Sequence, residues 1–271
     1  MADPAERIAQ PPSLARDIPF GTWDDTTAED KGWKILVYGD SGSGKTYFAG
    51  TFPDPLFLDL EDGMRSLLPL KRNIKRYPKS PAQQITTLDE VKAFYQIVKK
   101  IKPEDAPFKT IVIDSLNELQ ILVLENSVKT NPAQRIYDDQ PTMQDYGKLA
   151  RDMQTLVRLF IKLPYNIIFV AGCKEREFPE DKLLPLFSGK KTGPDVRRII
   201  EQIGYCYTKQ AAKDQPAEHL IAFADTPAYI AKDRTGKLSR PIRNTYEALM
   251  SVSTRGKNNH ENRSRAFNTV G

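Results

Sequence analysis

"YGDSGSGKT", residues 38–46, holds the pattern Gly-x-x-x-x-Gly-Lys-Thr from Gly39 to Thr46 with every fixed position filled. Each fixed residue has a physical task. Gly39, Gly42 and Gly44 let the backbone fold into a nest whose N–H groups face a polyphosphate; Lys45 reaches the β and γ phosphates, and the Thr46 hydroxyl is a ligand for Mg²⁺. The flanks agree with this reading. "KILVY" (34–38) is an apolar run of buried-strand length, and "GKTYFAGTF" (44–52) opens a helix. The candidate nucleotide-binding set is therefore Gly39, Asp40, Ser41, Gly42, Ser43, Gly44, Lys45, Thr46 and Tyr47, with ATP and Mg²⁺ as the expected ligands.

Outward from the loop, short apolar runs alternate with helical patterns: "PLFLDL" (55–60), "LDEVKAFYQIVKKI" (88–101), "KTIVID" (109–114), "LNELQILVLENSV" (116–128), "YGKLARDMQTLVRLFIKL" (146–163), "NIIFVAG" (166–172) and "GYCYTKQ" (204–210). Strands alternating with helices predict an α/β fold with a mostly parallel central sheet and helices on both faces. "EHLIAFA" (218–224) and "AYIAKDR" (228–234) flank "DTP" and predict an antiparallel hairpin at one edge. Residues 1–31 and 252–271 lack apolar periodicity and are expected to be mobile tails, the second of them basic, around a core of 32–251.

Composition bounds the function classes. In 271 residues, 39% are hydrophobic and 28% charged, as in ordinary soluble proteins. No apolar run approaches a bilayer span and the N-terminal stretch lacks the apolar centre of a signal peptide, so a cytoplasmic protein with no membrane partner is expected. Cys173 and Cys206 are the only cysteines; two give neither a zinc site nor a disulfide framework, and both read as packing residues. The 40 basic against 35 acidic residues leave a net charge of +5, a weak global bias. Any nucleic-acid argument must rest on local clusters.

Asp114 ends the continuous apolar run of "FKTIVIDSLNEL" (108–119), which places a carboxylate at the sheet edge that also carries the loop. It is the second candidate metal residue beside Thr46; capping the following helix is the structural alternative. The neighbour is Ser115, so a water-activating acid has to come from elsewhere. "PLFLDLEDGM" (55–64) supplies Asp59, Glu61 and Asp62 at the same edge, and strand alternation puts Asp59 and Glu61 on one face, either able to approach the γ-phosphate.

Taken together, these residues resemble the RecA-like P-loop NTPase core: a P-loop, a second strand followed by Glu61, and a Walker B strand closing on Asp114 and Ser115. More narrowly, residues 33–245 are similar to compact phage-encoded RecA-like ATPases of the single-strand-annealing and recombination-mediator group. The resemblance implies an ATPase, DNA-dependent, in which Lys45, Glu61 and Asp114 are catalytic, and a homo-oligomeric ring or filament acting on single-stranded DNA with a single-strand-binding protein or recombinase as a further partner, in a host cytoplasm if phage-encoded. It also implies that Lys232 and Arg234 of "AKDRTG" enter a neighbouring subunit's ATP site; an ordinary charged edge strand is the alternative. The strand "NIIFVAGCKE" departs from the family, which closes it on a polar sensor; here Cys173 stands there, expected to be buried and inert, and Lys174 is the alternative sensor.

In RecA-like cores DNA is met by mobile loops, which correspond to 129–145 and 174–198. The second carries Lys190, Lys191, Arg197 and Arg198 beside Phe187, and a separate cluster, "RNIKRYPK" (72–79), gathers Arg72, Lys75, Arg76 and Lys79 around Tyr77; cations beside an aromatic are what a single-strand groove needs. Two other classes stay open. A small-molecule or nucleotide kinase shares the loop but needs an acceptor pocket, and a non-hydrolysing switch would be insensitive to loss of Glu61 or Asp59. Guanine specificity is disfavoured, as no Asn-Lys-x-Asp run occurs.

Overall fold

A computed structural model describes residues 32–80, 82–130, 140–210 and 217–253. The two expected tails, apart from residues 252 and 253, and most of the 129–145 loop lie outside the described residues. The chain runs through β1 (Lys34–Gly39), α1 (Lys45–Gly50), β2 (Pro55–Asp59), a 3₁₀ helix (Met64–Leu70), β3 (Lys75–Tyr77), α2 (Leu88–Lys100), β4 (Thr110–Asp114), α3 (Leu116–Thr130) and α4 (Met143–Ile161). It continues through β5 (Asn166–Lys174), β6 (Leu184–Pro185), α5 (Thr192–Ile199), β7 (Gln202–Lys209), β8 (Glu218–Ala222), β9 (Lys232–Asp233) and β10 (Ile242–Arg243), with a last helical stretch over 246–253.

The main sheet has the order β10-β8-β7-β1-β5-β4-β2-β3. From β7 across to β3 every neighbour is parallel, and β8 and β10 add an antiparallel edge. This is the expected α/β architecture, a RecA-like P-loop NTPase fold. Parallel strands need both faces covered, and alternation along each strand serves both. Leu36, Tyr38, Ile111, Ile113, Ile167 and Phe169 face one layer, where α2, α3 and α4 supply Phe94, Val123 and Phe160. Ile35, Val37, Val112, Ile168 and Val170 face the other, against Phe48 from α1, Phe52 just beyond it and Leu249 from the last helix.

Helix starts follow from local chemistry. Thr87 and Glu90 form a capping box on α2, and Thr142 and Asp145 form one on α4. The latter is buried, with the Ser127 hydroxyl donating to Asp145 at 2.9 Å. Such reciprocal caps satisfy the first free N–H groups of a helix.

Two expectations need correction. The strands flanking "DTP" do not pair with each other: β8 and β9 both lie antiparallel to β7, β8 along its later half and β9 at its start, so the edge hairpin is β7–β8. The 174–198 stretch is not one loop either. It contains β6, paired with the end of β5, and α5, whose Val196 is buried; Pro194 sits in the first helical turn, where its missing N–H costs nothing. Among the described residues no helix is long and apolar enough to cross a membrane.

Candidate functional site

Parallel register brings the C-terminal ends of the central strands to one edge: Gly39 pairs with Gly172, and Asp59 with Asp114. Between β1 and α1 the chain wraps tightly. Gly44 takes φ 88°, and a Cβ there would come within 2.6 Å of the Asn244 amide nitrogen. A side chain at Gly39 would strike the Cys206 carbonyl. Asn244 explains the closeness: its buried Nδ2 donates to the Gly44 carbonyl at 2.8 Å and the Ser43 carbonyl at 3.4 Å, pinning the loop to the strand edge.

The loop forms one wall of a cleft of about 1500 Å³, to which Glu61, Asp114, Ser115, Asn117, Cys173 and His219 also contribute. Lys45 is held at the mouth by the Asp40 carbonyl, which accepts from its Nζ at 2.8 Å. Thr46 Oγ1 donates to Asp114 Oδ2 at 2.8 Å. Asp114 itself is 4% exposed, and burial pushes its carboxyl up to about 7, the Thr46 hydrogen bond working against this and the Glu61 and Asp59 charges adding to it. A hydroxyl and a carboxylate side by side are hard oxygen donors of the kind Mg²⁺ takes alongside phosphate oxygens, and a cation there favours the ionised carboxylate. The donor set fits nucleotide and metal.

The acids behave differently from each other. The Ser115 hydroxyl donates to Glu61 Oε1, while its oxygen accepts from the Glu118 N–H at 3.4 Å and so also tethers the start of α3. Glu61 is exposed to the cleft; Asp59 is not. The Asp59 side chain is 1% exposed and paired with Arg76 at 2.9 Å. The expected shared face fails because β2 ends at Asp59 and the chain then turns, with Asp62 at φ 55°, so strand alternation does not carry to Glu61.

The profile of the AAA domain family matches residues 31–235. The chain belongs to the AAA domain family. This AAA-domain protein is a nucleotide-binding P-loop ATPase, as the loop, the Walker B acid and the fold concur. A solved KaiC-like protein from the hyperthermophilic archaeon Pyrococcus horikoshii is similar at 14% identity over 77% of this chain and 84% of that one, with a TM-score of 0.40. No curated protein matches it in sequence.

Other expected residues of the AAA-domain chain lie apart from the cleft. Lys232 Nζ donates to the carbonyls of Arg197, Arg198 and Ile200, and Arg234 donates to that of Arg198 at 3.1 Å. Both therefore close the C-terminal end of α5, where carbonyls are free and cations favoured. Lys232 pairs with Ile203 near the start of β7, whereas the cleft adjoins the other end of the sheet. Lys174 bonds Glu177 at 2.7 Å and does not line the cleft; Cys173 does, and it is half-buried rather than buried, with burial pushing its thiol up to about 11.

Of the basic residues, Arg72, Lys75, Lys190, Lys191 and Arg198 are exposed. Arg197 is half-buried, Arg72 donates to the Phe52 carbonyl at 2.9 Å beside the end of α1, and Arg76 is taken by Asp59. Sequence reasoning missed Asn117, His219 and Asn244. Asn117 left a faint signal, an amide three positions before another, Gln120, on one helix face; Asn244 left none.

Proposed function

We propose that this AAA-domain protein hydrolyses ATP with Glu61 as the base that activates water, and couples the reaction to single-stranded DNA in homologous recombination, annealing strands or loading a recombinase as compact phage-encoded relatives of RecA would. The observation that carries the chemistry is the Ser115–Glu61 hydrogen bond, which holds a carboxylate at the cleft beside Asp114. Lys45 binds the polyphosphate and offsets its charge. Thr46 and Asp114 would hold Mg²⁺, which would supply positive charge against the polyphosphate. Glu61 accepts the proton of the attacking water, and Ser115 keeps it oriented for that transfer.

Support for the DNA half of the reading is the local charge beyond β5, where Lys190 and Arg197 stand with Phe187 around one pocket. Backbone-tracking cations with a stacking ring suit a strand without sequence preference. Assembly into a ring or filament belongs to the same reading, with the exposed Arg234 offered to a neighbour's site and Lys232, its ammonium bonded to the carbonyls of Arg197, Arg198 and Ile200, bracing the segment that carries it.

Phosphate release measured with and without oligothymidylate, alongside sedimentation, tests the proposal. Stimulation of several-fold together with a larger species supports it. Turnover that ignores DNA, or phosphate transferred to a nucleoside instead of water, contradicts it.

A further inference from the structure

The ribbon made by the end of β5 and by β6 has two unlike faces. Gly172, Cys173 and Leu186 line the nucleotide cleft. Their neighbours Lys174, Pro185 and Phe187 line a different pocket of about 350 Å³, completed by Lys190 and Arg197. No acid is among the residues lining it, and the buried Arg197 Nη1 has no hydrogen-bond partner among the described residues. The ribbon is thus a common wall between the cleft and a cationic pocket.

What fixes this wall is α3. The Gly172 N–H donates to Asn117 Oδ1 at 2.7 Å, and Asn117 Nδ2 donates to the Leu186 carbonyl at 3.0 Å, so a single carboxamide grips both strands. One turn further along, Gln120 Oε1 accepts from the Ser188 N–H at 2.8 Å. Asn117 is also only two residues beyond Ser115, which holds Glu61, and lines the same cleft.

A phosphate oxygen is a stronger acceptor than a neutral carbonyl. Asn117 lines the cleft that holds the phosphate loop, so a phosphate oxygen within its reach would draw the amide from Leu186 and free the segment that carries Phe187 and Lys190. We infer that Asn117 is the positioning residue through which occupation of the nucleotide cleft changes the affinity of the cationic pocket for a phosphate-bearing single strand. The inference rests on the single-strand reading above. Reciprocity requires that the strand change nucleotide affinity by the same factor.

Fluorescence anisotropy of labelled oligothymidylate with the full chain tests it, without nucleotide, with ADP, and with a slowly hydrolysed ATP analogue. Wild type should show a change in strand affinity of about five-fold or more between nucleotide states. Asn117→Ala should bring that ratio to within about two-fold of unity at nucleotide concentrations that a fluorescent nucleotide shows to saturate the variant. Asn117→Asp keeps the acceptor for Gly172 but sets an oxygen against the Leu186 carbonyl, so it should uncouple the sites in a side chain of unchanged shape. It carries the test if the alanine variant melts early. Wild-type coupling in both variants overturns the inference and leaves DNA binding standing, as does a wild type whose strand affinity ignores nucleotide. Failure of the underlying reading looks different: no binding of oligothymidylate at all, or binding unaffected by Lys190→Glu, sinks the pocket's assignment and the inference with it.

Discussion

Thr46 and Asp114, 68 positions apart in sequence, share a 2.8 Å hydrogen bond at the floor of the nucleotide cleft. The bond joins the first turn of α1 to the end of β4 and sets two hard oxygens side by side. Asp114→Asn keeps an oxygen for Thr46 but removes the charge a divalent cation needs. Turnover should fall by about a hundred-fold or more, and the Mg²⁺ concentration for half-maximal rate should rise. Phosphate release across a Mg²⁺ titration checks this, and an unchanged metal dependence counts against the assignment.

Arg76 and Asp59 form the ion pair that separates the inner acid from the cleft. Burial already raises the Asp59 carboxyl above the usual range, and Arg76 is the chief influence holding it down. In Arg76→Met the carboxylate stays buried without its partner, a change that costs about 3 kcal/mol at neutral pH. The sign of the pH dependence follows: removing Arg76 raises the folded-state pKa further above the unfolded value, so the deficit is largest at higher pH and shrinks as pH falls toward about 4. Urea denaturation at pH 5 and pH 7.5 measures it. Equal deficits at the two values contradict the account, and Asp59→Asn in the same chain should recover most of the loss.

Asn244 holds the phosphate loop from outside it. Asn244→Ala leaves the Gly44 and Ser43 carbonyls without that donor, costing about 1–2 kcal/mol of stability. A loop no longer pre-set should bind an ATP analogue about ten-fold more weakly. Thermal melts and a binding titration separate the two effects. Reduced stability with unaltered affinity makes Asn244 a structural residue only.

The parts of this protein that were legible in the sequence are those whose chemistry is contiguous. Gly39 to Thr46 carry their own context, and Asp114 announces itself as the charge that ends a buried run. Glu61 was visible as an acid at a strand end, but its separation from Asp59 depends on where β2 stops and on Arg76 arriving from β3. A run of cations gives no depth, so Arg76 looked like its exposed neighbour Lys75. Asn244 reaches Gly44 across 200 residues, a contact no local pattern encodes. Short strands such as β9 and β10 choose partners by tertiary packing, which is why the hairpin was assigned to the wrong pair. In α5, Gly193 and Pro194 in the first turn disguised a helix as loop.

Glu61→Gln tests the central claim most directly, measured as single-turnover ATP hydrolysis with Mg²⁺ and oligothymidylate present. The amide keeps the length and shape of the side chain and can still take the Ser115 hydrogen bond, but it does not accept a proton. The account predicts hydrolysis slower by about 10²–10⁴-fold with ATP affinity nearly unchanged. Hydrolysis at the wild-type rate would contradict it and remove Glu61 from the chemistry.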